Sequence, residues 1–254
     1  RKLGNETAPV LGLSLMDMSM PYKHKDDPEE TEKKHLELLT KAADAGMTFW
    51  DTSNSYGPFT NEELIGKWFK LTGRRKEIFL ATNFGIGVGS GRTGFMTGDK
   101  EYVKECIEES LKRLQTDYVD LYYQHRVDPN VRIEETVEAM ADLVKAGKVR
   151  YLGLSECSVK TLRRAHKVHP IAAVQLEYSL FTLDIERPEI GIKKACEEIG
   201  AAIVAYSPLG RGMLTGQLKS RNDLMEGDLR LRLPRFSEEN FSKNLEVVNL
   251  GEAE

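Results

Sequence analysis

Short apolar runs alternate with longer amphipathic segments along most of the chain. The apolar runs predict seven strands, at residues 10–16, 48–51, 78–83, 118–124, 150–155, 172–177 and 201–207. The segments between them have helical spacing and predict helices at 29–46, 61–71, 101–114, 133–147, 158–168 and 191–200, with Asn61 as an N-cap. Repeated βα units of this kind predict a parallel sheet whose crossovers are helices.

The polar residues at the strand ends decide between an open sheet and a closed barrel. The first strand, LGLSLMD, lacks the GxGxxG motif that an open dinucleotide-binding sheet would carry. One polar residue stands at or just after the end of each of six strands, namely Asp51, Asn83, His125, Ser155, Glu177 and Ser207. In a barrel these positions converge on one rim, where active sites are built. The sequence therefore predicts a (β/α)₈ TIM barrel.

Only seven strands are readable, and the final stretch, residues 237–254, has the pattern of a seventh helix. A seven-stranded arc would leave two unpaired edges, so a barrel needs an eighth βα unit. We therefore expect a single barrel domain over residues 1–254 that is incomplete at its C-terminal end.

Composition excludes several classes of function. The 36 basic and 40 acidic residues are intermixed, so the net charge of −4 offers no nucleic-acid surface. Three widely spaced cysteines, Cys106, Cys157 and Cys196, predict buried thiols in a reducing compartment and no metal site. No apolar run approaches the ~18 residues of a membrane span, and no signal peptide opens the chain. These features predict a soluble cytoplasmic protein, and they carry no signal for its oligomeric state.

Three side chains with acid–base chemistry lie near the predicted rim. Asp51 ends the second strand in FWDTSNSYG, Tyr56 follows in the loop, and His125 stands alone among five histidines at a strand end. Each also has a structural interpretation, since Asp51 could cap the turn, Tyr56 could pack and His125 could be a core histidine. Their convergence on one barrel mouth favours a catalytic role.

Six motifs, in order, give the chain a more specific likeness: DTSNSYG, ATNFG, YYQHRVDP, YLGLSE, VQLEYS and YSPLGRGMLTG. Together they resemble the aldo-keto reductase superfamily, in the branch of bacterial, fungal and plant aldehyde and ketone reductases. The resemblance implies a barrel enzyme that binds NADPH and transfers its hydride to the carbonyl of a small-molecule substrate.

The resemblance also implies roles for individual residues. Tyr56 matches the proton donor, Asp51 the carboxylate of the catalytic tetrad and His125 the histidine that orients the carbonyl. Ser155 and Gln175 match groups that hold the nicotinamide carboxamide, and Tyr206 matches the aromatic that stacks on the nicotinamide ring. The other positions that match cofactor-binding residues are Met16, Ser207, Leu209, Gly210 and Gly212, and Asp51 also adjoins the cofactor.

Asn83 departs from the family pattern at the fourth catalytic position. A tyrosine hydroxyl has an ordinary pKa of about 10, and a nearby cation lowers it. The family places a lysine there, held by the aspartate, whereas Asn83 carries no charge. Asn83 is an inactivating change, serves a different reaction, or is compensated by a neighbour such as Arg126, which is expected to point away because it follows His125. Ser14 and Asp17 also replace glycines of the family's first strand.

Two hypotheses follow. The first is an NADPH-dependent reductase of aldehydes or ketones that Asn83 impairs or alters. The second is a catalytically silent barrel that binds a cofactor or a partner. The glycine cluster GIGVGSGRTG (85–94) lacks the GK[ST] ending of a phosphate loop and favours a substrate loop. The basic segment RLRLPRF (230–236) predicts a loop at the rim that could help to bind cofactor phosphates.

Overall fold

The computed structural model describes residues 1–19, 27–87 and 96–252 of the chain. Its elements in chain order are β1 (Lys2–Leu3), β2 (Glu6–Thr7), β3 (Gly12–Ser14), α1 (Pro28–Asp44), β4 (Phe49–Ser53), α2 (Thr60–Thr72), β5 (Phe79–Phe84), α3 (Lys100–Leu114), β6 (Val119–Gln124), α4 (Ile133–Lys145), β7 (Val149–Ser155), α5 (Val159–Val168), β8 (Ile171–Glu177), α6 (Ile192–Ile199), β9 (Ala202–Tyr206) and α7 (Glu238–Glu252).

Strands β3 to β9 pair in sequence order, all parallel, and form one seven-stranded sheet. The predicted βα barrel architecture is confirmed in its seven units. The first strand is shorter than predicted because the chain turns into a 3-10 helix at Met16–Met18. Strands β3 and β9 are the edges of the sheet, and no described strand pairs with their outer sides. The expected eighth unit stays a prediction.

Alternation along the strands separates two apolar layers. Outward-facing side chains such as Trp50, Leu80 and Tyr122 pack with the helices in the largest core cluster. Inward-facing side chains near the amino ends of the strands, including Phe49 and Phe79, form a second cluster. Because side chains alternate between faces, the residues that continue the inner layer toward the carboxyl ends are the polar ones.

An N-terminal hairpin closes the amino end of the barrel, and the sequence pattern did not reveal it. Strands β1 and β2 pair antiparallel, and Leu3 and Ala8 join the inner cluster of Phe49 and Phe79. Gly4 has a φ of 58°, and a Cβ atom there would overlap the ring of Tyr151. Strands of two residues are too short for a period of two to be recognised. The hairpin leaves the carboxyl end as the open mouth.

Asn61 is not an N-cap, so that prediction is wrong. Helix α2 begins at Thr60, after Phe59. Asn61 lies inside the first turn and is fully buried. Its Nδ2 donates to Leu15 O at 2.6 Å and to Ser19 Oγ at 2.9 Å. Its Oδ1 accepts from Thr52 Oγ1 at 2.6 Å. The carboxamide therefore ties together α2, β4 and the segment that follows β3.

We expect Asn61→Ala to lower the free energy of unfolding by about 2–4 kcal/mol, because it leaves buried partners such as Leu15 O without a hydrogen bond. Chemical denaturation of the variant beside the unaltered protein measures this difference. Glu63→Ala, an exposed change in the same helical turn, is the matched control and should stay within about 0.5 kcal/mol. Equal losses of unfolding free energy in the two variants would contradict the stabilising role of the Asn61 carboxamide.

Candidate active site

The carboxyl ends of five strands bring polar residues together. Residues Ser53 and Asn83 pair across β4 and β5, and Asn83 pairs with Tyr123 across β5 and β6. Ser155 and Gln175 pair in the same way across β7 and β8. Side chains at paired positions face the same side of a sheet. The inner face of the mouth therefore gathers these residues, as the predicted site requires.

Asp51 is the centre of the site, and it accepts one short and two long hydrogen bonds from amide groups. Gln175 Nε2 donates to Asp51 Oδ2 at 2.9 Å. Asn83 Nδ2 lies 3.4 Å from each carboxylate oxygen and makes its shorter bond, 2.8 Å, to Thr52 O. Among the described residues, no cation forms a salt bridge with Asp51. The Asp51 carboxylate is therefore held by amide groups alone.

Two other buried acidic side chains have arginine partners. Glu62 is fully buried and accepts from Arg113 Nε at 2.8 Å. Asp120 accepts from Arg75 at 2.9 Å and from Arg150 at 2.8 Å. A buried carboxylate without a cation is costly, because burial removes its hydration and nothing replaces it. Asp51 differs from these two, since amide groups and no arginine donate to it in the described structure.

Burial raises the pKa of Asp51 to about 7, and the donors from Gln175 and Asn83 offset only part of that rise. The shift follows from the loss of hydration, which favours the neutral acid. Near neutral pH the carboxyl group therefore exchanges a proton.

Tyr56 lies in the loop between β4 and α2, above Asp51. Its ring meets the ring of His125 edge to face, with centroids 6.0 Å apart and planes at 83°. Only 8% of Tyr56 is exposed. Burial, and then the charge of Asp51, raise the pKa of its hydroxyl well above the ordinary value. Tyr56 therefore holds its proton firmly, as expected where no lysine lowers the pKa.

His125 follows the last residue of β6 and is fixed from both ends. Its backbone N–H donates to Phe84 O at 2.6 Å, and its Nδ1 lies 3.3 Å from Ser53 Oγ. Burial and, to a smaller extent, the nearby charge of Arg126 lower the pKa of the imidazole to about 4. His125 is therefore neutral at physiological pH and can donate one hydrogen bond without carrying charge.

Arg126 turns toward the mouth, and the expectation that it points away is wrong. Its Nη1 donates to His125 O at 2.7 Å and lies 3.3 Å from Ser155 Oγ. A flexible side chain can fold back over the strand end even though its Cβ starts on the opposite face. The guanidinium opposes the rise in the pKa of Tyr56. Arg126 thus brings positive charge to the site from above, without touching Asp51.

Residues matched to cofactor binding lie around the same rim. Ser155 and Gln175 face inward and are buried, Met16 is partly buried in the turn after β3, and Leu209 is exposed. Tyr206 ends β9, where burial, the charge of Glu156 and a hydrogen bond to Glu156 raise its hydroxyl pKa to about 12.

The loop after β9 is strongly curled. Ser207, Gly210, Arg211 and Gly212 all have positive φ, at 50°, 60°, 56° and 88°. Arg230, in the basic segment predicted at the rim, reaches this curl, since its Nη1 donates to Arg211 O at 3.3 Å and lies near the Cβ position of Gly212. Left-handed conformations are costly for residues other than glycine and cluster at functional loops.

Two polar groups near Asp51 are buried, and one of them, the hydroxyl of Tyr123, was not predicted from the sequence. The hydroxyl of Tyr123 and the Oδ1 of Asn83 have no hydrogen-bond partner in the part of the chain that the structure describes. Alternation in LYYQH places Tyr123 on the same face as His125, so the signal was present in the sequence. The charge of Asp51 adds to burial in raising the pKa of Tyr123 well above its ordinary value.

A family model described as the aldo/keto reductase family matches residues 20–252. The chain belongs to the aldo/keto reductase family. It is 51% identical over 250 residues to aldo-keto reductase yakc [NADP(+)] of Schizosaccharomyces pombe, covering 98% of this chain and 72% of that protein. It is 57% identical over 219 residues to aldo-keto reductase str7 of Strobilurus tenacellus, covering 86% of this chain and 63% of that protein.

A solved structure has a fold similar to that of this aldo/keto reductase chain. The glycerol dehydrogenase AKR11B4 from Gluconobacter oxydans superposes with a TM-score of 0.79 at 27% identity, over 98% of this chain and 75% of that one.

Other predicted features have simpler outcomes. The three cysteines of this aldo/keto reductase are free and buried, as predicted. Most of the glycine cluster at 85–94 lies outside the described residues. Within the described ranges, no helix has the length and apolar content to cross a bilayer, and no three His, Cys, Asp or Glu side chains are grouped to hold a metal ion.

We expect Asp51→Asn to remove a pH dependence of stability. Between an ordinary pKa near 4 and the native pKa of about 7, the native state holds a proton that the unfolded state has released, so stability falls as pH rises through this window. Relative to the unaltered protein, the variant should gain about 3 kcal/mol of unfolding free energy between pH 5 and pH 8. Denaturation at the two pH values measures this difference. If the unfolding free energies of the variant and the unaltered protein changed equally with pH, the raised pKa of Asp51 would be refuted.

Proposed function

We propose that the chain is an NADPH-dependent oxidoreductase that reduces an aldehyde or ketone to an alcohol, with a rate limited by Asn83. The observation that carries the proposal is the edge-to-face contact of the Tyr56 and His125 rings, with Tyr56 near enough to Asp51 for the carboxylate charge to act on its hydroxyl. Two donors that converge on one open site suit a carbonyl oxygen. The NADP(+) in the name of the Schizosaccharomyces pombe relative supports the choice of cofactor, and the buried free thiols support a reducing compartment such as the cytoplasm.

The residues around the rim fit a dinucleotide. Ser155 and Gln175 present side-chain hydrogen-bonding groups inward, which suits a carboxamide. The curl at Gly210 and Gly212 lets backbone approach closely, and Arg230 beside it suits a phosphate. We assign Tyr206 to the face of the nicotinamide ring, and Met16, Ser207 and Leu209 to the flanks of the cofactor. When bound, NADPH would supply the hydride for the carbonyl carbon.

The protein's own groups act at the carbonyl oxygen. Neutral His125 donates a hydrogen bond that orients the carbonyl, and Tyr56 donates the proton as negative charge develops on the oxygen. Burial and the charge of Asp51 oppose loss of that proton, and Arg126 favours it. Asn83 can hold Asp51 only at 3.4 Å and adds no positive charge. Proton transfer is therefore the step that Asn83 slows.

We expect Asn83→Lys to raise the rate of carbonyl-dependent NADPH oxidation by about 10²–10⁴-fold, because a lysine would neutralise Asp51 and lower the pKa of Tyr56. NADPH absorbance, followed against a panel of aldehydes and ketones, measures it. Asn83→Met is the matched control, since it has nearly the length of lysine without its charge, and should bring no gain. Adding Tyr56→Phe to Asn83→Lys should abolish the gain. Equal rates for the Lys and Met variants would contradict the mechanism.

The second candidate function is a redox-silent barrel that binds a cofactor or partner. The raised pKa of Tyr56 and the uncompensated Asp51 favour it, because both weaken acid catalysis while leaving the rim residues in place. The two candidates share the cofactor site and differ only in turnover.

We expect NADPH to bind in either case, with its own fluorescence enhanced on binding. Both tryptophans, Trp50 and Trp68, pack against the outer core, so they are poor reporters of the mouth. Titration of NADPH fluorescence, with and without a carbonyl substrate, separates the candidates. Binding without oxidation in both the unaltered protein and Asn83→Lys would support the silent barrel, and loss of binding in Gly212→Val would support the assigned rim. Failure of NADPH to bind would contradict the reductase and a silent barrel that binds a cofactor, and would leave only a silent barrel that binds a partner.

A further inference from the structure

The carboxylate of Asp51 has unused acceptor capacity inside the barrel. Its Oδ2 accepts a 2.9 Å bond from Gln175. Its Oδ1 is approached only by Asn83 Nδ2 at 3.4 Å, a donor that Thr52 O already occupies at 2.8 Å. An ionised carboxylate can accept about four hydrogen bonds. Asp51 therefore has one strong donor and no salt-bridge partner among the described residues.

Two more oxygens beside it also lack partners. Asn83 Oδ1 and the Tyr123 hydroxyl are fully buried and make no hydrogen bond in the described structure. Residues 83 and 123 are paired across β5 and β6, so both side chains face the barrel interior. Tyr123 is close enough to Asp51 for the carboxylate charge to act on its hydroxyl. Buried polar atoms without partners are rare and call for a bound species.

We infer that Asp51, Asn83 Oδ1 and the Tyr123 hydroxyl form a binding site for a free ammonium or methylammonium ion. The chemistry of the site matches this class of ligand. An ammonium group carries up to four donors and accepts nothing, and each of the three oxygens can accept. A water molecule could also satisfy the oxygens, but it would leave the Asp51 charge uncompensated. Asp51 is 9% exposed at the mouth, which gives a small ion a route to the site.

The bound ion would supply the positive charge that the family's lysine provides at the position of Asn83. It would neutralise Asp51 and place a positive charge beside Tyr56, which favours proton release from the hydroxyl. This second effect rests on the proposed reductase function, whereas binding of the ion does not. The two parts can therefore be tested separately.

The test of binding is the thermal midpoint of the protein at pH 8, measured at constant ionic strength in ammonium, sodium, potassium or tetramethylammonium chloride. At ten times its dissociation constant, ammonium should multiply the folding equilibrium constant by about eleven. That corresponds to a rise of about 3–6 °C in the midpoint for a chain of this size. Tetramethylammonium cannot donate a hydrogen bond and should give no rise. At pH 5, where Asp51 is protonated, the ammonium effect should disappear.

Variants locate the site. Asp51→Asn should abolish the ammonium effect, and Tyr123→Phe should weaken ammonium binding about three- to ten-fold. Asn83→Lys should raise the midpoint in sodium chloride and no longer respond to ammonium, because a tethered ammonium fills the site. Glu134→Gln, at a surface carboxylate paired with Arg164, is the matched control and should keep the full response.

Three results would overturn the inference. They are no ammonium-specific rise at pH 8, an equal rise with potassium, and an undiminished rise in Asp51→Asn. The catalytic part is tested by adding ammonium to the NADPH oxidation assay, where the rate should increase with the half-saturation found from stability. A rise in midpoint without any oxidation would keep the site and refute the reductase. Oxidation that does not respond to ammonium, together with an unchanged midpoint, would keep the reductase and refute the site.

Discussion

Lateral pairing of the parallel strands is the constraint on which the candidate site depends. Each strand contributes a backbone ladder to its neighbours, so the positions that face inward are fixed by register and not by the side chains themselves. Asp51, Asn83 and Gln175 come from three strands of different sequence context, yet the two amides both reach the Asp51 carboxylate inside the barrel. A slip of one residue in β5 would send Asn83 outward, toward the helices.

The chain treats its buried acids in two different ways. Glu62 and Asp120, which lie away from the mouth, each have an arginine partner, so their charges are satisfied within the fold. Asp51 has only amide donors, and burial raises its pKa to about 7. Strands β4 and β5, which carry Asp51 and Asn83, are nevertheless buried along their whole length. A buried carboxylate without a cation lowers stability, and such local costs are typical of functional sites.

The seven strands and the rim residues could be predicted from the sequence because they rest on alternation and on strand ends. The hairpin of β1 and β2 could not, because two-residue strands have no period. Asn61 was misread because a cap and a buried tie use the same residue type at a helix start, and only packing separates them. Arg126 was misjudged because strand alternation fixes the direction of Cβ but not the path of a long, flexible side chain.

The hairpin that closes the amino end affects how ligands enter and leave the barrel. With Leu3 and Ala8 packed into the inner cluster, the amino end is closed, so a molecule that enters at the carboxyl ends of the strands meets Tyr56 and the curl at Gly210–Gly212 before Asp51. Two ligands that enter through this mouth cannot bind independently when one lies beneath the other. The deeper ligand must bind first and leave last. The hairpin at the amino end therefore imposes an order of binding and release at the carboxyl end.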